Sequence, residues 1–157
     1  MTKISSAVVS AALAIALAAP ASAATTDPEV IIYRFPGVTD NGGGPNAGVA
    51  TSFHCTNFSG ALENVRFVTR DDIGTLLTNV VFPVSHLATL TTSTHQTQAY
   101  FDPNTLDTNN VSQGTTAIAA TSINIICTAE TIDASNAVPT GVARRGIRFS
   151  PVPGSQE

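Results

Sequence analysis

Three histidines, His54, His86 and His95, are the side chains of this sequence best suited to ligate a metal or move a proton near neutral pH. Zinc ligands come as close pairs on one element or as tight sets with cysteines, and these three have neither spacing. Only His86 and His95, nine positions apart, could meet across a hairpin. The ordinary alternative for each is a solvated or hydrogen-bonded strand histidine. Nucleophilic catalysis needs a base within hydrogen-bond reach of the nucleophile. Serines and threonines are so abundant that many Ser/His/Asp sets can be picked out, yet there is no Gly-x-Ser-x-Gly elbow. The adjacent carboxylates Asp71 and Asp72 sit in a turn signal. The chain therefore reads as a non-enzyme, with no catalytic residues and no cofactor.

Two further groups carry candidate chemistry. The loop from Asp102 to Asn110 concentrates hard oxygen ligands, and Asp102, Asn104 and Asp107 form a weak calcium set. The spacing only begins like an EF-hand loop, lacking its glycine and closing glutamate, and Asp and Asn favour turns for purely local reasons. Arg144, Arg145 and Arg148 place three of the six arginines in one short stretch. They suit a carboxylate or phosphate on a partner. The plainer reading is a charged guard on an edge strand.

Cys55 and Cys127 are the only cysteines. In an exported chain a single pair reads as a structural disulfide, and closing so long a loop stabilises by roughly 4 kcal/mol in the chain-entropy model. Two-residue alternation puts Phe53 with Cys55 on one face, and Ile123, Ile125, Cys127 and Ala129 on another. Both cysteines thus fall on the apolar face of their strand, where a bridge across a sandwich core would lie. His54 points to the opposite face.

The elements that position these residues are strands. Threonine supplies 21 residues after position 23, and Val, Ile and Phe carry most of the bulk, which suits a pleated, half-buried surface. Strands are expected at 28–35, 49–58, 62–69, 75–84, 86–92, 115–121, 123–132 and 142–149, with 96–101 as a possible partner of 86–92. Turn signals at Pro36-Gly37, Asp40–Asn46, Ser59-Gly60, Asp71–Gly74 and Asp102–Asn110 separate them. Short strands, frequent turns and one disulfide point to an all-β fold, an antiparallel immunoglobulin-like β-sandwich of about 7–9 strands. A jelly roll or small β-barrel is the alternative.

The first residues look removable. Lys3 precedes the small-apolar run Ala7–Ala18, and Ala21-Ser22-Ala23 gives a signal-peptidase pattern. Residues 1–23 are therefore expected to be a cleaved signal peptide, 24–150 a single domain and 151–157 an extended tail. An uncut, membrane-tethering leader is the alternative. The run is too short for a stable span, and the mature chain has none. Removing Lys3 leaves six arginines against eleven acids, which argues against a nucleic-acid partner. The 43% hydrophobic and 11% charged content argues against disorder.

The strings Thr51–Ser59, Asn124–Ala129 and Arg148–Glu157 resemble short exported bacterial proteins of uncharacterised function. That resemblance implies a β fold and an exported compartment, periplasmic or extracellular, and no site residues. Two functions follow as expectations. One is a non-catalytic surface protein, an envelope, adhesion or matrix component whose partner is itself or another envelope protein. In one version the strand Glu29–Phe35 is donated to a neighbour's sheet; in the ordinary one it pairs within its own. The other is a soluble module binding a carbohydrate or small polar ligand, although Tyr33 and Tyr100 are the only tyrosines and there is no Trp. The sequons at Asn57 and Asn110 matter only in a glycosylating host.

Overall fold

A computed structural model describes residues 28–100 and 104–149. The expected leader, Asp102 and the 151–157 tail lie outside them. The described residues form nine strands and no helix: β1 (Val30–Asp40), β2 (Val49–Asn57), β3 (Glu63–Arg70), β4 (Leu76–Val84), β5 (Thr89–Ser93), β6 (Val111–Ala120), β7 (Ile125–Asp133), β8 (Gly141–Arg144) and β9 (Ile147–Arg148). All pairs are antiparallel. Two open sheets result, in the orders β4-β3-β6-β1-β9 and β5-β2-β7-β8, packed as the expected β-sandwich.

The alternation of the sequence becomes the two faces of each sheet. In β3, Val65, Phe67 and Thr69 are buried while Asn64, Arg66, Val68 and Arg70 are only partly so. Phe53 of β2 enters the core between Phe35 of β1 and Phe67 of β3, with ring centroids 5.7 Å away on both sides. All three rings are essentially inaccessible to solvent, and edge-to-face packing of this kind adds to the burial itself. One aromatic from the second sheet thus locks into two from the first.

Four expectations are corrected. The first strand does not stop at Phe35. It runs to Asp40, absorbing Pro36-Gly37 as a bulge where the register with β6 shifts and Gly37 takes φ 76°. Two-residue β9 pairs only Tyr33 and Arg34, so at Pro36 the strand has a neighbour on one side alone and tolerates the missing N–H. The segment 96–100 is not a strand. Hydrogen bonds from Gln98 N–H to Ala134 O and from Asn46 N–H to Gln96 O fold it over the ends of β1, β2 and β7 instead. The last expected strand is two: β8 pairs with β7 in one sheet, and β9 with β1 in the other. The chain crosses between sheets at Arg145-Gly146, where a Cβ on Gly146 would lie 2.5 Å from the Phe35 ring, so only glycine fits. Finally, the bridge does not cross the core. Cys55 and Cys127 are registered neighbours on β2 and β7, within one sheet. An apolar-facing cysteine has the same parity in either arrangement, which is why alternation alone does not separate them.

Antiparallel pairing sorts the connections into two poles. One gathers 41–48, 71–75, 94–110 and 134–140. The other gathers 58–62, 85–88 and 121–124, together with the start of β1 and the end of β9.

Candidate functional site

The first pole carries a polar cleft of about 270 Å³ between the connections 41–48 and 94–110, lined by Asp40, Thr94, His95, Gln96 and Asp107 among others. Its floor is Asp40, which is fully buried. One carboxylate oxygen accepts the Gly42 N–H at 2.7 Å; the other accepts the Thr108 hydroxyl at 3.2 Å and lies 2.9 Å from His95 Nδ1. That last contact is close but off-axis for a hydrogen bond. His95 Nε2 lies 3.0 Å from Ala47 O. Both ring nitrogens thus face acceptors, and His95 pins the two connections together.

A second polar group sits on the outer face of the smaller sheet. The β2–β5 register sets His54 opposite Thr91, and the β2–β7 register sets it opposite Thr128, two residues from Glu130. His54 Nδ1 lies 3.0 Å from the Thr91 hydroxyl, and Nε2 lies 3.7 Å from Glu130. Tyr100 donates its hydroxyl to the same Glu130 oxygen and meets the His54 ring edge-on, centroids 4.7 Å apart. Burial lowers the His54 pKa, with Glu130 opposing it in part. Desolvation, aided by the bond to Glu130, pushes the Tyr100 pKa up to about 12. Hydroxyl, imidazole and carboxylate stand here in the order that nucleophilic catalysis uses. Glu130, however, is engaged by Tyr100 and stands beyond hydrogen-bond reach of His54, so the ring is held chiefly by Thr91.

The anticipated site residues are dispersed. Arg144 donates to the Thr131 hydroxyl at 2.7 Å. Arg148 donates to Ile123 O at 2.7 Å and lies over the Tyr33 ring. Arg145 is exposed, and with Arg148, Gly146 and Pro36 it borders a shallow depression. Of the calcium set, the Asn104 carbonyl accepts the Thr92 hydroxyl, and Asp107 accepts the Thr105 hydroxyl at 2.7 Å. Among the described residues no group of three or more His, Cys, Asp or Glu is arranged to hold a metal. His86 and His95 serve opposite poles, since His86 Nδ1 accepts the Gly60 N–H. Asn57 is buried, its amide donating to Ala61 O and Val84 O, so its sequon is closed to a glycan in the folded protein. No protein family, curated protein or solved structure matches this chain.

The sequence reading missed a third feature, at the second pole. Phe58, Leu62, Leu87 and Ile123 are 48–65% exposed on three connections joined by backbone hydrogen bonds, Phe58 N–H to Asn124 O and Leu87 N–H to Asn57 O. Leu87 holds φ 61°, a left-handed conformation that local energetics reserve for Gly or Asn. The sequence signal was there: large apolar residues inside the polar punctuation of turns. The disulfide suits an oxidising, non-cytoplasmic compartment, and no helix among the described residues is long and apolar enough to cross a membrane.

Proposed function

We propose that this chain is an exported, non-catalytic β-sandwich acting through its surface as an envelope, adhesion or matrix component. The observation that carries the reading is the apolar pole. Four large apolar side chains on three connections gathered at one pole are what a docking surface presents, and one of them occupies a conformation its own side chain disfavours. The disulfide, the export-type leader and the resemblance to short exported bacterial proteins support the compartment. Photo-crosslinking in producing cells tests the function. A crosslinkable residue at Phe58 is expected to trap an envelope component, while one at Ile73, 83% exposed at the opposite pole, is not. Equal trapping at both positions, or none at Phe58, overturns the reading.

The polar cleft favours a second reading, a module for a small polar ligand. Neither tyrosine serves such a cleft by stacking, because Tyr33 is buried in the core and Tyr100 is bonded to Glu130. A small polyol or amino compound therefore fits better than an extended sugar. Chemical-shift changes at His95 on titration with such compounds test it, and an unmoved His95 resonance across the panel removes it.

A further inference from the structure

The polar cleft between the connections 41–48 and 94–110 is small, at about 270 Å³, below the usual volume of a site for a drug-sized ligand. The chain around it fixes its shape. The Asn46 N–H donates to Gln96 O, the Leu106 N–H to Ser93 O and the Thr108 N–H to Thr94 O. His95 stands between Asp40 and Ala47 O. Walls tied in this way need not be ordered by an occupant, which removes one of the usual costs of binding.

Most polar side chains at this pole have partners within the chain. Asp40 accepts from Gly42 and Thr108, the Thr94 hydroxyl accepts the Thr51 N–H, and the Asn41 side chain accepts the Val49 N–H. Three side chains lining the cleft are less committed. Among the described residues, the side-chain amides of Gln96 and Asn109 have no hydrogen-bond partner, and Asp107 is bonded only by the Thr105 hydroxyl, at one carboxylate oxygen. Gln96 is moreover half-buried, where an amide left unbonded is costly.

Charge decides what such a cleft holds. Asp40 and Asp107 both line it, and no Lys or Arg does. Among the described residues, no cation lies within ion-pair distance of Asp107. Two carboxylates in a recess of lowered dielectric attract a cation and repel an anion. A neutral polyol gains hydrogen bonds there but none of that attraction.

We propose that the cleft binds the ammonium group of a small primary amine that also carries a hydrogen-bonding group. The ammonium pairs with Asp107 under the added field of buried Asp40, and the amides of Gln96 and Asn109 take the second polar group. The proposal rests on the reading of the cleft as a small-ligand module and names the class of ligand it takes.

Nuclear magnetic resonance titration with ethanolamine, ethylene glycol and glycolate tests it. The three probes are close in size and set an ammonium, a hydroxyl or a carboxylate beside the same hydroxyl group. Ethanolamine is expected to shift the side-chain amide resonances of Gln96 and Asn109 saturably, with Kd near about 1 mM, as suits so few atoms. Ethylene glycol is expected to bind at least about ten-fold more weakly, and glycolate to leave the resonances unmoved. Asp107 is exposed and holds φ 48°, a conformation Asn also tolerates, so Asp107→Asn removes the charge and keeps the backbone. That variant is expected to bind ethanolamine at least about ten-fold more weakly with Tm unchanged. Should it misfold, the wild type decides, since added salt is expected to weaken ethanolamine and not ethylene glycol.

Equal affinity for ethanolamine and ethylene glycol, a preference for glycolate, or ethanolamine binding indifferent to Asp107→Asn or to salt overturns the proposal and leaves the cleft a small-ligand module of another kind. Ethanolamine that moves neither amide up to about 100 mM also overturns it. In that case a polyol that shifts His95 preserves the module reading, and an unmoved His95 removes both.

Discussion

Cys55 and Cys127 face each other across adjacent strands, with Cα atoms 4.2 Å apart as the seventh pair of a nine-pair ladder between β2 and β7. That spacing is close to a non-hydrogen-bonded antiparallel pair. The ladder forms with or without the bond, so the bond's main effect falls on the unfolded chain. Reduction, or the double change Cys55→Ala with Cys127→Ala, is expected to leave the far-ultraviolet spectrum unaltered. The loss should be about 4 kcal/mol, or roughly 15 °C in Tm. Loss of the β signal on reduction would show that the ladder depends on the bond.

Gly146→Ala tests the crossing between sheets. The added methyl would meet the Phe35 ring at 2.5 Å, and Phe35 cannot withdraw because Phe53 packs against it. The cost is expected at about 1–3 kcal/mol, expressed by release of β9. Amide exchange should rise at Phe149, whose N–H donates to Ile32 O, and stay unchanged in β3. Uniform acceleration would indicate global destabilisation instead.

His54 and Tyr100 set opposite pH limits. Burial lowers the His54 pKa below 6.5, so the unfolded chain binds the proton more readily. Its contribution is full above pH 6.5 and falls as pH drops through 6.5 toward the lower folded value. Tyr100 is raised from 10.0 to about 12, so its contribution is full below pH 10 and is lost as pH rises from 10 to 12. Tm measured against pH is expected to flatten on the acid side in His54→Gln and on the alkaline side in Tyr100→Phe. Unchanged slopes in both would count against this assignment.

Leu87→Gly relieves a left-handed leucine at φ 61° and is expected to raise stability by about 0.5–1 kcal/mol. Crosslinking from Phe58 should weaken at the same time. Concurrent loss of stability would mean that Leu87 supports the fold rather than a partner.

Much of the fold was legible because its information is local. The alternation through Phe53 and Cys55, and through Ile125, Cys127 and Ala129, fixed the core faces of β2 and β7, and Asp71–Gly74 marked the β3–β4 hairpin. What stayed hidden depends on which strand lies beside which. Cys55 has the same parity whether its partner is across the core or next door. His54, Tyr100 and Glu130 meet only through the β2–β7 register and the segment after β5. The split between β8 and β9 depends on Phe35, more than a hundred positions from Gly146. Asp40 and His95 converge because two loops, each unremarkable in sequence, fold over the same pole.

The bond between Cys55 and Cys127 also governs how the protein bears load. A pull applied through the two ends of the chain reaches the covalent crosslink before it reaches anything between them. The 72-position span it encloses, about 240 Å of extended contour, stays out of the load path while the bond is oxidised. β3, β4, β5 and β6 lie inside that span. Tension can peel β9 and draw out β1, yet it cannot lengthen the span between the two cysteines until a reductant arrives.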